Sequence, residues 1–319
     1  MGPLKLRFYG AAAENLRRAV ALAALAVLAC AGAACAGWAG QAGAAGIELA
    51  DDRGRVLRLA HPAGRIVTLA PHLTELVYAA GAGAKLVGAA RYSDYPQAAR
   101  RLPAVGDAAQ VDVEQVLALA PDVVLGWRSG NPPAQIERLE RLGVAVFVTE
   151  PARLTDVARI LRAIGTLAGS AEAAGKAAAA FEGELDRLAR GRDRLRPVPV
   201  FYEIWHQPLL TVSDAHSIGD VIRLCGGRNV FGASAALTPE VSLESVIAAA
   251  PQVILGGGSA ARAKDFAAAW QRFDVIPAVR NRRVHFIDAD LIQRPTPRLL
   301  RGAELICGYI DAARTGAGN

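Results

Sequence analysis

Apolar residues recur at helical spacing behind a capping residue, and then in an unbroken run after a proline, at two places in the chain. Residues 111–126 read VDVEQVLALAPDVVLG and residues 241–256 read VSLESVIAAAPQVILG, identical at nine of sixteen positions. In each copy Asp112 or Ser242 suits the N-cap. Val113, Val116, Leu117 and Ala120, or Leu243, Val246, Ile247 and Ala250, fall on one helical face. Pro121 or Pro251 ends the helix, and VVLG or VILG suits a buried parallel strand. A long internal match is an architectural signal. Two copies 130 residues apart are too few for a solenoid and predict two similar lobes. Glu114 and Glu244 sit in the first turn, off the apolar face, where solvent exposure is expected. They either complement the helix dipole or serve a further purpose shared by both lobes.

The rest of the pattern fills in those lobes. Residues 47–59 predict a small hairpin about the turn DDRG. Strands are expected at 65–70, 86–90 and 144–148, with helices at 73–80 and 133–142. Residues 154–195 carry no strand signal and predict a helix over 154–167 and a longer one over 171–188. A helix of about 20 residues spans some 30 Å, so the longer one is expected to be a stiff connector. The second lobe predicts a strand at 198–204, helices at 217–224 and 263–272, a strand at 283–287 and a final helix at 298–313. Strands alternating with helices predict an α/β fold with mostly parallel sheets. The domains expected are a lobe at 47–150, a helical connector at 151–196 and a lobe at 197–319.

The first 46 residues read as a targeting segment. Lys5, Arg7, Arg17 and Arg18 precede the eleven-residue apolar run 19–29, too short for an ordinary membrane-spanning helix. Val27-Leu28-Ala29-Cys30 resembles a lipoprotein box that would make Cys30 the lipidated first residue, whereas Ala42-Gly43-Ala44 suits ordinary signal peptidase. Both remain open. Without the segment the formal charge falls from +6 to +3, since four basic residues and Glu14 leave with it. No basic stripe with interleaved aromatics is present, so nucleic acid is not an expected partner. Cys225 and Cys307 remain, in a compartment that permits disulfides. Their pairing would contribute roughly 4 kcal/mol in the chain-entropy picture.

Ligands of open parallel α/β sheets bind beyond the carboxyl ends of the strands. Four such ends carry distinctive side chains: Tyr92 and Tyr95, Trp127 and Arg128, Trp205 and His206, and Asp290 with Arg294. Each loop Trp could simply cap its own lobe, but the set favours a cleft lined from both sides. Trp270 is expected in the core. Catalytic constellations are absent: there is no HExxH, GxSxG or Walker loop, and no CxxC or His spacing for a metal. Gly256-Gly257-Gly258 follows a predicted strand without the spaced dinucleotide fingerprint. His206 is either a loop histidine or a metal ligand. No enzyme activity and no cofactor are expected.

These residues together resemble the helical-backbone substrate-binding proteins of bacterial ABC importers for cobalamin, haem and ferric siderophores, and among them the cobalamin-binding members most. The resemblance runs from about Arg65 to Ile310 and rests on RYSDYP (91–96), the first repeat ending in LGWRSGN, LCGGRN (224–229), the second repeat and Pro297-Arg298. It implies two α/β lobes with a ligand cleft between them and one long connector helix. It also implies capture of cobalamin or a related corrinoid, with haem or a ferric siderophore as the alternative, and delivery to an ABC permease dimer. The expected state is a monomer outside the cytoplasm. By the same resemblance Tyr92, Trp127, Asp290 and Arg294 contact ligand, Cys225 and Cys307 form the disulfide, and Glu114 and Glu244 engage permease arginines. Aromatic residues expected near Ala108, Thr238 and Leu291 are missing, and Trp205 is the candidate replacement.

Overall fold

The computed structural model describes residues 46–316 apart from residue 193. The expected leader, with Cys30 and the 42–44 site, lies outside the described residues. The chain opens with β1 (Ile47–Ala50) and β2 (Val56–Leu59), an antiparallel hairpin. The first lobe follows: β3 (Ile66–Thr68), α1 (Pro71–Ala79), β4 (Leu86–Ala89), α2 (Val113–Ala118), β5 (Val123–Trp127), α3 (Pro133–Arg141) and β6 (Val146–Thr149). Two helices, α4 (Leu154–Ala168) and α5 (Ala171–Ala189), lead to the second lobe. It contains β7 (Val198–Glu203), α6 (Ser217–Leu224), β8 (Gly227–Asn229), α7 (Leu243–Ala249), β9 (Val253–Gly258), α8 (Ala260–Gln271), α9 (Pro277–Arg280), β10 (Val284–Asp288), α10 (Ala289–Ile292) and α11 (Leu299–Thr315). Each lobe holds a four-stranded parallel sheet, ordered β4-β3-β5-β6 and β10-β9-β7-β8.

Both sheets are buried on both faces, and alternate residues of each strand serve opposite faces. In the first, Val67, Val124, Val146 and Val148 pack outward on Val116 of α2 and Ile136 and Leu139 of α3. In the second, Phe201 and Ile254 pack outward on Val246, Phe266 and Trp270. The inward residues behave differently. Ile66, Leu125 and Phe147 of one sheet and Val200, Tyr202 and Leu255 of the other belong to one buried cluster, joined through α1, α4, α5, α6 and α11. The lobes therefore share a core, rather than being two beads on a hinge.

The link between them is a helical pair. The helix predicted over 171–188 is α5, and it doubles back along α4: Gly165 packs against Ala174, and Arg162 pairs with Glu182 at 2.6 Å. The first turn of α4 is tied to the second lobe, where Asp220 of α6 accepts the Leu154 N–H at 2.8 Å. Its last turn is tied to the first lobe, where the Leu167 carbonyl accepts the Ala63 N–H at 2.8 Å. The ties at Leu154 and Leu167 are thus about 20 Å apart along the helix.

The two repeats fold alike down to the backbone. Asp112 caps the Gln115 N–H and Ser242 the Ser245 N–H. Ala120 and Ala250, each before its proline, take left-handed conformations with φ 43° and 46°. That conformation closes each helix and turns the chain into β5 or β9. One detail differs from the sequence reading. Gly256, Gly257 and Gly258 lie within β9 rather than after it. A Cβ at Gly256 would come 2.3 Å from Phe266, and one at Gly257 2.3 Å from the Tyr202 hydroxyl, so these glycines admit packing and not a phosphate. The elements β8, α9 and α10 had no counterpart in the pattern.

Candidate functional site

The carboxyl ends of β5 and β6 face that of β7 across a cleft. A cavity of about 200 Å³ at its base is lined by Trp127, Ser129 and Glu150 of the first lobe and by Ile204, His216 and Gln293 of the second. Trp127 is set by its own loop. Asn131 accepts the Trp127 N–H at 2.7 Å and donates to the Leu69 and Ala108 carbonyls. Gly130 must be a glycine, because a Cβ there would fall 1.8 Å from the indole. The His72 ring meets the indole edge-on at 5.1 Å.

Tyr92 stands at the rim, 75% exposed and in the left-handed region at φ 67°. A bulky residue holds that conformation only where its surroundings impose it. Here the tight turn closed by the Ser93 N–H on the Ala90 carbonyl at 3.2 Å does so, and Arg294 of the other lobe donates from Nη2 to the Tyr92 carbonyl at 3.2 Å. Arg294 also pairs with Glu75 at 3.0 Å, Asp94 at 2.7 Å and Asp290 at 3.0 Å. Arg298 grips both oxygens of Glu75, at 2.6 and 3.0 Å, and covers the Tyr95 ring at 4.0 Å. Glu75, only 3% exposed, is the centre of a charge network that spans the lobes. Burial opposes ionisation of Asp94, but the hydrogen bond and charge of Arg294 outweigh it and hold the carboxyl below its ordinary range. Burial pushes the Asp290 carboxyl up despite Arg294, with Asp94 and Asp288 adding to the rise. Burial, reinforced by the Arg294 charge, pushes the His72 imidazole down to about 3.

Trp205 is 52% exposed. Its Nε1 donates to the Gln207 carbonyl at 2.9 Å, and the Arg262 guanidinium lies over its ring, 5.2 Å from the centroid. His206 faces the buried Glu203 carboxylate at 3.2 Å, which also accepts from Trp270 Nε1 at 2.8 Å. Trp270 is core. Glu114 and Glu244 are exposed in the first turns of α2 and α7. Cys225 and Cys307 form a disulfide between the end of α6 and α11. Among the described residues no three His, Cys, Asp or Glu side chains are grouped as a metal ion would require, and no helix is long and apolar enough to cross a membrane.

Trp127 thus enters the cavity, and Tyr92, Asp290 and Arg294 meet in one network at its rim. Sequence reasoning missed Glu75, Asp94 and His216. Glu75 left a signal: it is the lone charge in an otherwise apolar and neutral helix, PHLTELVYA. His216 left none, because its place depends on a loop meeting the other lobe.

Residues 66–291 match the family described as periplasmic binding protein. The chain is similar to a vitamin B12-binding protein of Vibrio cholerae, 36% identical over 253 residues, which cover 79% of this chain and 91% of that protein. A crystal structure of the periplasmic vitamin B12 binding protein of Vibrio cholerae matches with a TM-score of 0.73 at 36% identity, over 79% of this chain and 98% of that one. The crystal structure of a periplasmic haem binding protein from Pseudomonas aeruginosa matches with a TM-score of 0.66 at 26% identity, over 81% and 94%.

Proposed function

The chain belongs to the periplasmic binding protein family, and on that premise we propose that it captures cobalamin or a related corrinoid and delivers it to an ABC-transporter permease dimer. The observation that carries this reading is the 36% identity, sustained across both lobes, to a protein named for vitamin B12. The cleft is suited to the task. Trp127 and Trp205 present flat apolar surface, and Tyr92 adds an aromatic with a polar tip. The cavity is smaller than the roughly 300–1,000 Å³ of sites that enclose a whole small ligand. A corrinoid therefore sits in the open cleft, with one edge reaching into the cavity. Arg294 and Asp290 act through their neighbours: Arg294 already faces three carboxylates, and it fixes the Tyr92 backbone beside the ligand.

Capture requires no reaction, and cobalamin is cargo rather than cofactor. The shared core and the α4–α5 strut restrict closure to small loop changes, so the permease reads modest differences. Glu114 and Glu244 are the docking points, one on each lobe. Residues 1–46 direct export, and the mature protein works as a monomer outside the cytoplasm. A second reading, haem capture, is favoured by the exposed Tyr92 phenol at the rim, which could ligate iron. Spectroscopic titration with cyanocobalamin tests the first reading. Saturable binding supports it, and no binding to any corrinoid overturns it.

A further inference from the structure

The cavity below the cleft has a definite hydrogen-bonding character. Nδ1 of His216 accepts the Ile218 N–H at 3.1 Å as the cap of α6. The ring is neutral near pH 7, since burial lowers its pKa to about 4. A neutral imidazole whose Nδ1 accepts must carry its proton on Nε2. That Nε2–H is a donor with no protein acceptor among the described residues. Glu150, which lines the same cavity, uses one lone pair on each oxygen to accept from Ser129, at 2.8 Å from the backbone and 3.0 Å from the hydroxyl, and keeps the others. Gln293 directs Nε2 toward the Tyr202 hydroxyl at 3.5 Å, and its Oε1 has no hydrogen-bond partner among the described residues. Among the described residues no Lys or Arg lines the cavity.

We propose that this cavity is a subsite for a primary carboxamide arm of the ligand. It rests on the corrinoid reading. A carboxamide has one carbonyl acceptor and two N–H donors. Its carbonyl takes the His216 Nε2–H, and its N–H groups meet the Glu150 carboxylate and Gln293 Oε1. The periphery of cobalamin carries such arms. Haem propionates are carboxylates, and would be placed against Glu150 with no cation to balance them. The cap also bars His216 from ligating iron or cobalt through Nε2, because the proton would have to move to Nδ1 and the Ile218 N–H would lose its acceptor. The subsite thus selects by charge as well as by shape.

The test is calorimetric titration of cyanocobalamin and of its separated monocarboxylic acids, in which one side-chain amide is hydrolysed. Wild type, His216→Asn and Glu150→Gln are compared. Asn still caps α6 but removes the Nε2–H, and melting curves report whether the fold is kept. Wild type should bind one acid isomer about ten-fold or more weakly than cyanocobalamin. His216→Asn should weaken cyanocobalamin by about ten-fold, the effect of one hydrogen bond to a buried group. Glu150→Gln should restore much of the affinity for the disfavoured isomer. The isomer comparison in wild type needs no substitution and stands even if a variant fails to fold. Tight cyanocobalamin binding by wild type with every acid isomer bound equally well overturns the subsite and leaves the corrinoid reading standing. No cyanocobalamin binding by wild type overturns both.

Discussion

Arg294 of the second lobe meets Glu75 of the first at 3.0 Å, Nη1 to Oε1, and this pair braces the cleft rim. Glu75 is buried and also holds Arg298, so removing it leaves two guanidiniums facing each other with less compensation. Breaking a buried pair from one side costs about 3–5 kcal/mol. Glu75→Ala should lose that much in urea unfolding, and Arg298→Lys less, because it keeps the charge but not the two-point grip. A loss below about 1 kcal/mol for Glu75→Ala would show the network to be ornamental to stability.

Acid should weaken the fold in a definite window. The His72 imidazole stays neutral in the folded protein down to about pH 3, whereas in the unfolded chain it titrates near its ordinary value of 6.5. Below that value the unfolded state takes up a proton that the folded state refuses. Stability therefore falls as pH drops from about 6.5, by up to about 1.4 kcal/mol per pH unit for each such histidine. His216 adds the same trend down to about 4. The depressed Asp94 carboxyl contributes stability above the usual carboxylate range, lost as pH falls through its folded value. Melting temperatures between pH 7 and 4 should show the decline, and His72→Phe should flatten it. An unchanged slope in that variant would remove His72 from the account.

The disulfide closes a long stretch of chain, with 82 positions separating Cys225 from Cys307. Loss of such a link costs roughly 2–5 kcal/mol. The Cys225→Ala, Cys307→Ala double variant should melt at a lower temperature while still binding ligand. Equal melting temperatures with and without the link would contradict this.

These residues also show what could be read from the chain. The helix–strand repeats were legible because their signals are local: Asp112 and Ser242 as caps, Pro121 and Pro251 as stops. The strand β8 was not, since Gly227, Arg228 and Asn229 have no strand preference and are held by pairing with Val198, Pro199 and Val200. The role of α4 as a strut depends on Asp220, 66 residues away from Leu154. Tyr92, Trp127 and Arg294 could be nominated from strand ends. Their organisation around Glu75 could not, because it depends on two lobes meeting.

Aromatic truncation should affect binding before stability. Trp127→Ala removes an aromatic that lines the cavity and Trp205→Ala a half-exposed one just past β7, and loss of an aromatic anchor buried by a ligand typically costs about 2 kcal/mol, some thirty-fold in affinity. Trp127 should matter more, as it lines the cavity while Trp205 is half exposed. Equal affinities for both variants and wild type would place the ligand elsewhere.

Docking should be separable from capture. Charge reversal of both Glu114 and Glu244 to Lys should abolish transport in reconstituted vesicles without changing ligand affinity or melting temperature, since both side chains are exposed. Loss of ligand binding in that variant would return the two residues to a role inside their own helices.

A competitive titration decides which ligand the cleft takes. Purified mature protein is titrated by calorimetry with cyanocobalamin, haemin and a ferric siderophore. Saturable one-to-one binding of cyanocobalamin, not displaced by equal concentrations of the other two, is the predicted result. Saturable binding of haemin or the siderophore, with no heat from any corrinoid, would contradict it.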